Sequence, residues 1–288
     1  VTTARALHDL VASDGTVALV SSVHTSGELM ALWKGPWQVG PAPLARMPES
    51  LAVIVSAGHY LPAGAVAQRL AEQRGLSRVV VQHGLITPFA PPLPPRAHLL
   101  AFSGSDAAFW AGGRDDVTHE VVGSSLLWEA ASGRPDGVRL SARPVHLGQL
   151  HGAELPRCGM VSSVEDLWQR TGASYRPHPA EVDRLSRLRH WAWERDGMVI
   201  DRSNRPLREL NSPVVAAFST GILEAAARGL PAWAHYPSPP AWLEEFWERY
   251  AIRRWSPGAD PTPPPDLPAD DPAQTLKAAV RRLVREAP

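Results

Sequence analysis

Val214-Val215-Ala216-Ala217-Phe218-Ser219-Thr220-Gly221-Ile222-Leu223-Glu224-Ala225-Ala226-Ala227-Arg228-Gly229 passes from a short apolar run, through two hydroxyls, into a helix-forming stretch that ends in glycine. Val214 to Phe218 reads as a buried strand and Thr220 to Arg228 as the helix after it, stopped by Gly229. Ala232 to His235 is apolar again and reads as the next strand. Strand, helix and strand in this order form the repeating unit of a parallel sheet.

The alternation extends in both directions. Upstream, Val145–Leu147, Ser174–Arg176 and Met198–Ile200 read as strands. Val164–Arg170 and Glu181–Arg195 read as helices, the second with Val182, Leu185, Leu188 and Ala192 on its apolar face. Downstream, the Pro-rich connector Pro257–Pro268 leads to a helix over Pro272–Arg285. In the first half, Val17–Ser22, Leu51–Ser56, Arg78–Val81, Leu99–Phe102 and His119–Val122 read as strands. Pro62–Arg74 is a helix with proline in its first turn and Gly75 just past its end. Ser105 and Asp106 read as the cap of another. Gly133–Arg143 is polar and aperiodic, the expected linker between domains 1–132 and 144–288. The expected fold is α/β, with two Rossmann-like domains whose parallel sheets face an interdomain cleft.

The chain has 288 residues, with 29 basic and 29 acidic side chains and no net charge. No global field therefore argues for nucleic acid or an anionic membrane as the main partner. Any bound anion must be held by local groups. Cys158 is the one cysteine, which excludes an intrachain disulfide and suggests a reducing compartment. Val1–Asp14 lacks a signal pattern, and no apolar run approaches the ~20 residues of a membrane span. The expectation is a cytoplasmic protein without a transmembrane segment.

In open parallel sheets ligands sit beyond the carboxyl ends of the strands, so residues just after strands carry the functional reading. In the first half these are His24, His59 and His83, each able to exchange protons near neutral pH. His83 lies in Gln82-His83-Gly84, where glycine permits a sharp turn, ahead of a stretch, Leu85–Arg96, with five prolines. In the second half Tyr175-Arg176-Pro177-His178-Pro179 braces an imidazole between two prolines, with Arg176 as a second phosphate partner. Ser219, Thr220 and Gly221 at a helix start form a neutral anion cradle. Glu224, one turn on, suits ribose hydroxyls. Gly148 and Gln149 follow a strand in a loop with two glycines, open to a phosphate or to an acceptor.

Other chemistries lack their signals. There is no Gly-Lys-Ser/Thr phosphate loop, no GxGxxG after the first strand and no Gly-x-Ser-x-Gly elbow. Cys/His metal spacing is missing, as is an Asp-x-Asp pair after a strand, so neither metal nor cofactor is expected.

With His178-Pro179, Ser219-Thr220 and His83-Gly84 together, the chain resembles the GT-B glycosyltransferase superfamily. Within it, the chain is similar to the CDP-glycerol glycerophosphotransferases and to the bacterial sialyltransferases and capsule-polysaccharide transferases. The resemblance implies a metal-independent glycosyl or glycerophosphoryl transfer from a nucleotide-activated donor, of CMP, CDP or UDP type, to an acceptor hydroxyl. It makes 144–288 the donor domain and 1–132 the acceptor domain. His178, Ser219 and Thr220 would hold the donor phosphate, and His83 would be the general base. The acidic-Gly base motif of the sialyltransferases has no counterpart: Asp14-Gly15 precedes a strand, Asp136-Gly137 falls in the linker, and Asp196-Gly197 is in the other domain. A nucleotide-sugar epimerase or hydrolase is the alternative from the same fold, and a non-catalytic nucleotide-sugar-binding partner of another transferase is a third.

Overall fold

The computed structural model describes residues 49–133, 140–203 and 205–287. The expected strand Val17–Ser22, His24 and the Asp14-Gly15 and Asp136-Gly137 pairs lie outside them. In chain order the first elements are β1 (Val53–Ser56), α1 (Pro62–Arg74), β2 (Ser77–Val81), β3 (Ala97–Ala101), α2 (Gly104–Ala111), β4 (Thr118–Val121) and α3 (Ser125–Ser132). There follow β5 (Val145–Leu147), α4 (Arg157–Thr171), β6 (Ser174–Arg176), α5 (Arg184–Arg195), β7 (Val214–Ala216), α6 (Thr220–Ala227), β8 (Ala232–Ala234), α7 (Ala241–Arg249) and α8 (Pro272–Glu286).

The chain divides into two compact units, each with one four-stranded parallel sheet. Among the described residues the first unit holds 49–86, 90–125 and 267–287, and the second 87–89 and 126–266. This is the α/β architecture expected from the alternation of strands and helices.

In the first unit the strands run in the order β1-β2-β3-β4. Val79 and Val81 face one side and Val80 the other, all buried, as a strand covered on both faces requires. Val80 packs with Leu99, Ala107 and Ala111, so α2 covers its side. Val79, Val81 and Leu100 pack with Leu276, Ala279 and Val280 of α8. The C-terminal helix, expected to continue the 144–288 domain, thus lies on the first sheet. Its i, i+3, i+4 stripe supplies apolar cover for a sheet face far away in sequence. Pro opens α1 and Gly75, at φ 66°, closes it, matching the expected bounds. The cap of α2 is Ser103 rather than Ser105, its Oγ accepting from the Asp106 N–H at 3.1 Å.

In the second unit the order is β6-β5-β7-β8. The chain leaves β5 to pair β6 on one edge, then returns to pair β7 on the other. The gap between the carboxyl ends of β5 and β7 is therefore a topological switch point, where such sheets bind ligands. The expected strand at 198–200 contributes only a single bridge, Ile200 to Tyr175. α6 buries Gly221–Ala226. A Cβ on Gly221 would come within 2.5 Å of Leu147 Cδ1, so glycine lets this helix press against β5.

The reading of α5 is corrected. It spans Arg184–Arg195, with Asp183 as N-cap, and buries Ser186, His190 and Trp193. Val182, Leu185 and Leu188, expected on the core face, are exposed. Periodicity found the helix but chose the wrong side, because His190 and Ser186 are hydrogen-bonded inside.

Candidate functional site

Three loops and one helix start meet the carboxyl ends of β5, β6 and β7. Beyond β5, Gln149 Oε1 accepts the Phe218 N–H at 3.1 Å, closing the switch point with a side-chain bridge. The first unit uses the same device: Gln82 Oε1, after β2, accepts the Phe102 N–H after β3 at 2.8 Å. Gln82 is fully buried and also donates to the Gly84 carbonyl at 2.9 Å, which shapes the His83 turn. Neither role was read from the sequence.

On the β7 side, Ser219 is the N-cap of α6, its Oγ accepting from the Gly221 N–H at 3.1 Å. Thr220 follows at the start of the helix, half-buried. Glu224, one turn in, is 8% exposed. Burial pushes its carboxyl up, opposed by the fields of Arg228, Arg176 and Arg208. Among the described residues, no side-chain hydrogen bond or ion pair closes on this carboxylate. Arg228 instead donates to the Leu207 and Leu210 carbonyls at 2.8 and 2.7 Å.

On the β6 side, Arg176 pairs with Asp201 at 3.7 Å and donates to the Arg205 carbonyl, so part of its hydrogen-bonding capacity serves the loop. His178 is exposed and stacks on His151, ring centroids 4.0 Å apart and 16° from parallel. Its Nδ1 accepts the Ala180 N–H at 3.1 Å. That contact requires an unprotonated Nδ1 and places the ring proton on Nε2. Partial desolvation, then the adjacent His151, lower the His178 pKa, while Glu181 raises it; the net direction is down. His178 is thus a neutral Nε2–H donor at pH 7. The N–H groups after Pro179 are spent inside the turn: Ala180 on His178 Nδ1, Glu181 on the His178 carbonyl.

Glu181 organises this side and was missed as a site residue. Its carboxylate is fully buried. Oε1 accepts the Leu150 N–H at 3.1 Å and the His178 N–H at 3.2 Å. Oε2 accepts from Tyr175 Oη at 2.8 Å and faces His190 Nε2 at 2.9 Å. Burial alone would raise its pKa, but these hydrogen bonds outweigh it and hold Glu181 below the usual carboxylate value. One ionised group therefore ties the loops after β5 and β6 together. The signal for it was the His178-Pro179-Ala180-Glu181 spacing, in which a Glu reaches back three residues to a backbone N–H, as in a capping box. Gly148, read as leaving room for a ligand, leaves room for this network: a Cβ there would fall 2.5 Å from Glu181 Oε1 and closer to Tyr175 Oη.

His178 and Ser219 emerge on opposite sides of β5. Their strands are two spacings apart, ~10 Å, with β5 between them.

In the first unit His83 is exposed; partial desolvation, then neighbouring His59, push its pKa below the ordinary imidazole value. His59 is buried and faces the Pro92 carbonyl through Nε2 at 2.9 Å. Trp110, Arg114 and Arg78 donate to the carbonyls of Pro91, Leu93 and Pro95. Prolines lack N–H groups, so side chains strap this loop where a backbone ladder cannot. His59 is accordingly part of the scaffold. Among the described residues there is no group of three or more metal-ligating side chains, and no helix long and apolar enough to cross a membrane.

No family model and no curated protein matches the chain. Among solved structures it is similar to the UDP-GlcNAc 2-epimerase from Methanocaldococcus jannaschii, at 12% identity and a TM-score of 0.40, over 81% of this chain and 76% of that one. It is also similar to KpsC, the beta Kdo 2,7 transferase of Thermosulfurimonas dismutans, at 12% identity and a TM-score of 0.31, over 76% of this chain and 81% of that one.

Proposed function

We propose that the second unit binds the phosphate and ribose of a nucleotide-activated donor at the β5/β7 switch point, and that the chain is a metal-independent transferase. The observation that carries the reading is the switch point itself. A hydroxyl-capped helix start and the largely buried Glu224 meet on one side of β5, and a neutral imidazole donor stands on the other.

In this reading the start of α6, with Ser219 and Thr220, takes the phosphate through its N–H groups and hydroxyls. Glu224, one turn into α6, accepts from ribose hydroxyls. His178 Nε2–H donates to the leaving phosphate, stabilising charge that grows as the donor bond breaks. The phosphate oxygen departs with the bonding electron pair, and the acceptor oxygen forms the new bond. The acceptor proton goes to a base, assigned to His83 as the exposed imidazole of the Gln82-His83-Gly84 turn.

The test is a thermal-unfolding panel of CMP, CDP, UDP, GDP and their sugar conjugates, with inorganic phosphate alongside. A ligand at ~100 times its Kd stabilises the fold by about 2.7 kcal/mol. His178→Ala and Thr220→Ala should each erase most of the shift and lower turnover ~10²-fold or more with a donor that binds. No shift with any nucleotide at millimolar concentration, or equal shifts in wild type and both variants, overturns the reading.

A further inference from the structure

α5 exposes a face that its own unit does not use. Ser186, His190 and Trp193 anchor it inward, Trp193 Nε1 donating to Glu165 at 2.8 Å. Directly opposite, at i, i+3 and i+4 spacing, Arg184, Leu188, Trp191 and Arg195 form one ridge, with Leu185 beside it and Val182 just ahead of the helix. The apolar members are open to solvent: Val182 71%, Leu185 62%, Leu188 61% and Trp191 55%. Scattered exposed apolar residues are ordinary, but four within ten residues, along and beside one firmly anchored ridge, form a patch.

We propose that this face docks the protein on an anionic phospholipid membrane. Charge selects the occupant. Arg184 and Arg187 carry no ion pair among the described residues, and the Arg195 guanidinium lies 5.7 Å from the centre of the Trp191 ring. Of the nearby carboxylates, Asp183 is matched by Arg157 and Glu194 by Arg202, and Asp196 at the helix end stands beside Arg195, which leaves Arg184 and Arg187 without a counterpart among the described residues. A positive surplus therefore borders the leucines and the tryptophan. Size points the same way. Twelve residues make a ridge ~18 Å long and ~10 Å wide, or ~200 Å². A stable protein interface needs ~800 Å² per partner. A membrane surface needs only one apolar face, sunk ~5–10 Å into the headgroup boundary, with cations beside it. Arginine stems can lie along the apolar boundary with their heads in the phosphate layer. The net neutrality of the whole chain does not oppose this, because the interaction acts within a Debye length of the helix, about 10 Å at 0.1 M salt.

The experiment is co-sedimentation of the full chain with phosphatidylglycerol/phosphatidylcholine vesicles and with phosphatidylcholine vesicles, at low and high salt. Binding is expected to the anionic vesicles only, and to fade at high salt. Leu188→Ser with Trp191→Ser should abolish it. Arg184→Gln with Arg187→Gln should weaken it ~25-fold, about fivefold for each cation. Both pairs are solvent-exposed, so unchanged unfolding midpoints establish that the fold survives. Absence of binding to anionic vesicles at low salt overturns the proposal. So does binding that neither variant alters, or a concentration-dependent dimer that Leu188→Ser with Trp191→Ser abolishes, which would make a second copy of the chain the occupant.

Discussion

Replacing Glu181 separates the role of its charge from the role of its acceptor geometry. Alanine removes an acceptor that serves the Leu150 and His178 N–H groups, the Tyr175 hydroxyl and His190. Three of these contacts are fully buried, and a buried donor left unmatched costs ~1–3 kcal/mol. Glu181→Ala should therefore lose about 4 kcal/mol or more, a large part of the 5–15 kcal/mol typical of a domain. Glutamine behaves differently. Its carbonyl oxygen can take the two backbone N–H groups. Its amide can donate to Tyr175 Oη, which rotates to accept, and to His190 Nε2, which accepts in the other tautomer. Four contacts persist, but they are no longer charge-assisted and are weaker by roughly half. Glu181→Gln should cost about 1–2 kcal/mol and keep both loops in place. Urea unfolding at pH 7.5, followed by tryptophan fluorescence with equal m-values, reads both numbers. The reasoning fails if the two variants are equally destabilised, or if alanine costs less than 1 kcal/mol.

Two further substitutions probe the same sheet. Gly148→Ala places a methyl against Tyr175 and Glu181 and should cost ~1–3 kcal/mol; an unaffected unfolding midpoint would contradict the packing described. His146 on β5 is fully buried, and neither ring nitrogen has a hydrogen-bond partner. Burial, then the charge of His235, push its pKa from 6.5 down to about 3. Between those values the unfolded chain binds a proton that the folded chain does not, so stability falls as pH falls, by ~1.4 kcal/mol per unit. From pH 7.5 to pH 5 wild type should lose about 2 kcal/mol more than His146→Leu, because the window opens at pH 6.5; parallel pH slopes for the two proteins would show that this imidazole is not the cause.

Elements whose signals are local were readable in the sequence. The proline and glycine that bound α1 act through their own backbones, and the Ser219 cap satisfies donors two or three residues on. What stayed hidden depends on partners distant in the chain. The stripe on α8 states that something must be covered, not which sheet needs covering. α5 shows the reverse: its leucines form a clean apolar face, yet the buried side carries His190, a polar residue that is tolerable inside only because Glu181 receives it. Gln82 and Gln149 look like ordinary polar residues until β3 and β7 bring a phenylalanine N–H within reach.

The return of α8 to the first sheet gives the two units different chain topologies. The second unit draws nearly all of its described residues from one stretch, 126–266. The first unit is split, and Val79, Val81 and Leu100 are covered only by a helix from 272–286. Loss of that helix would bare one face of the first sheet and leave the core of the second unit covered.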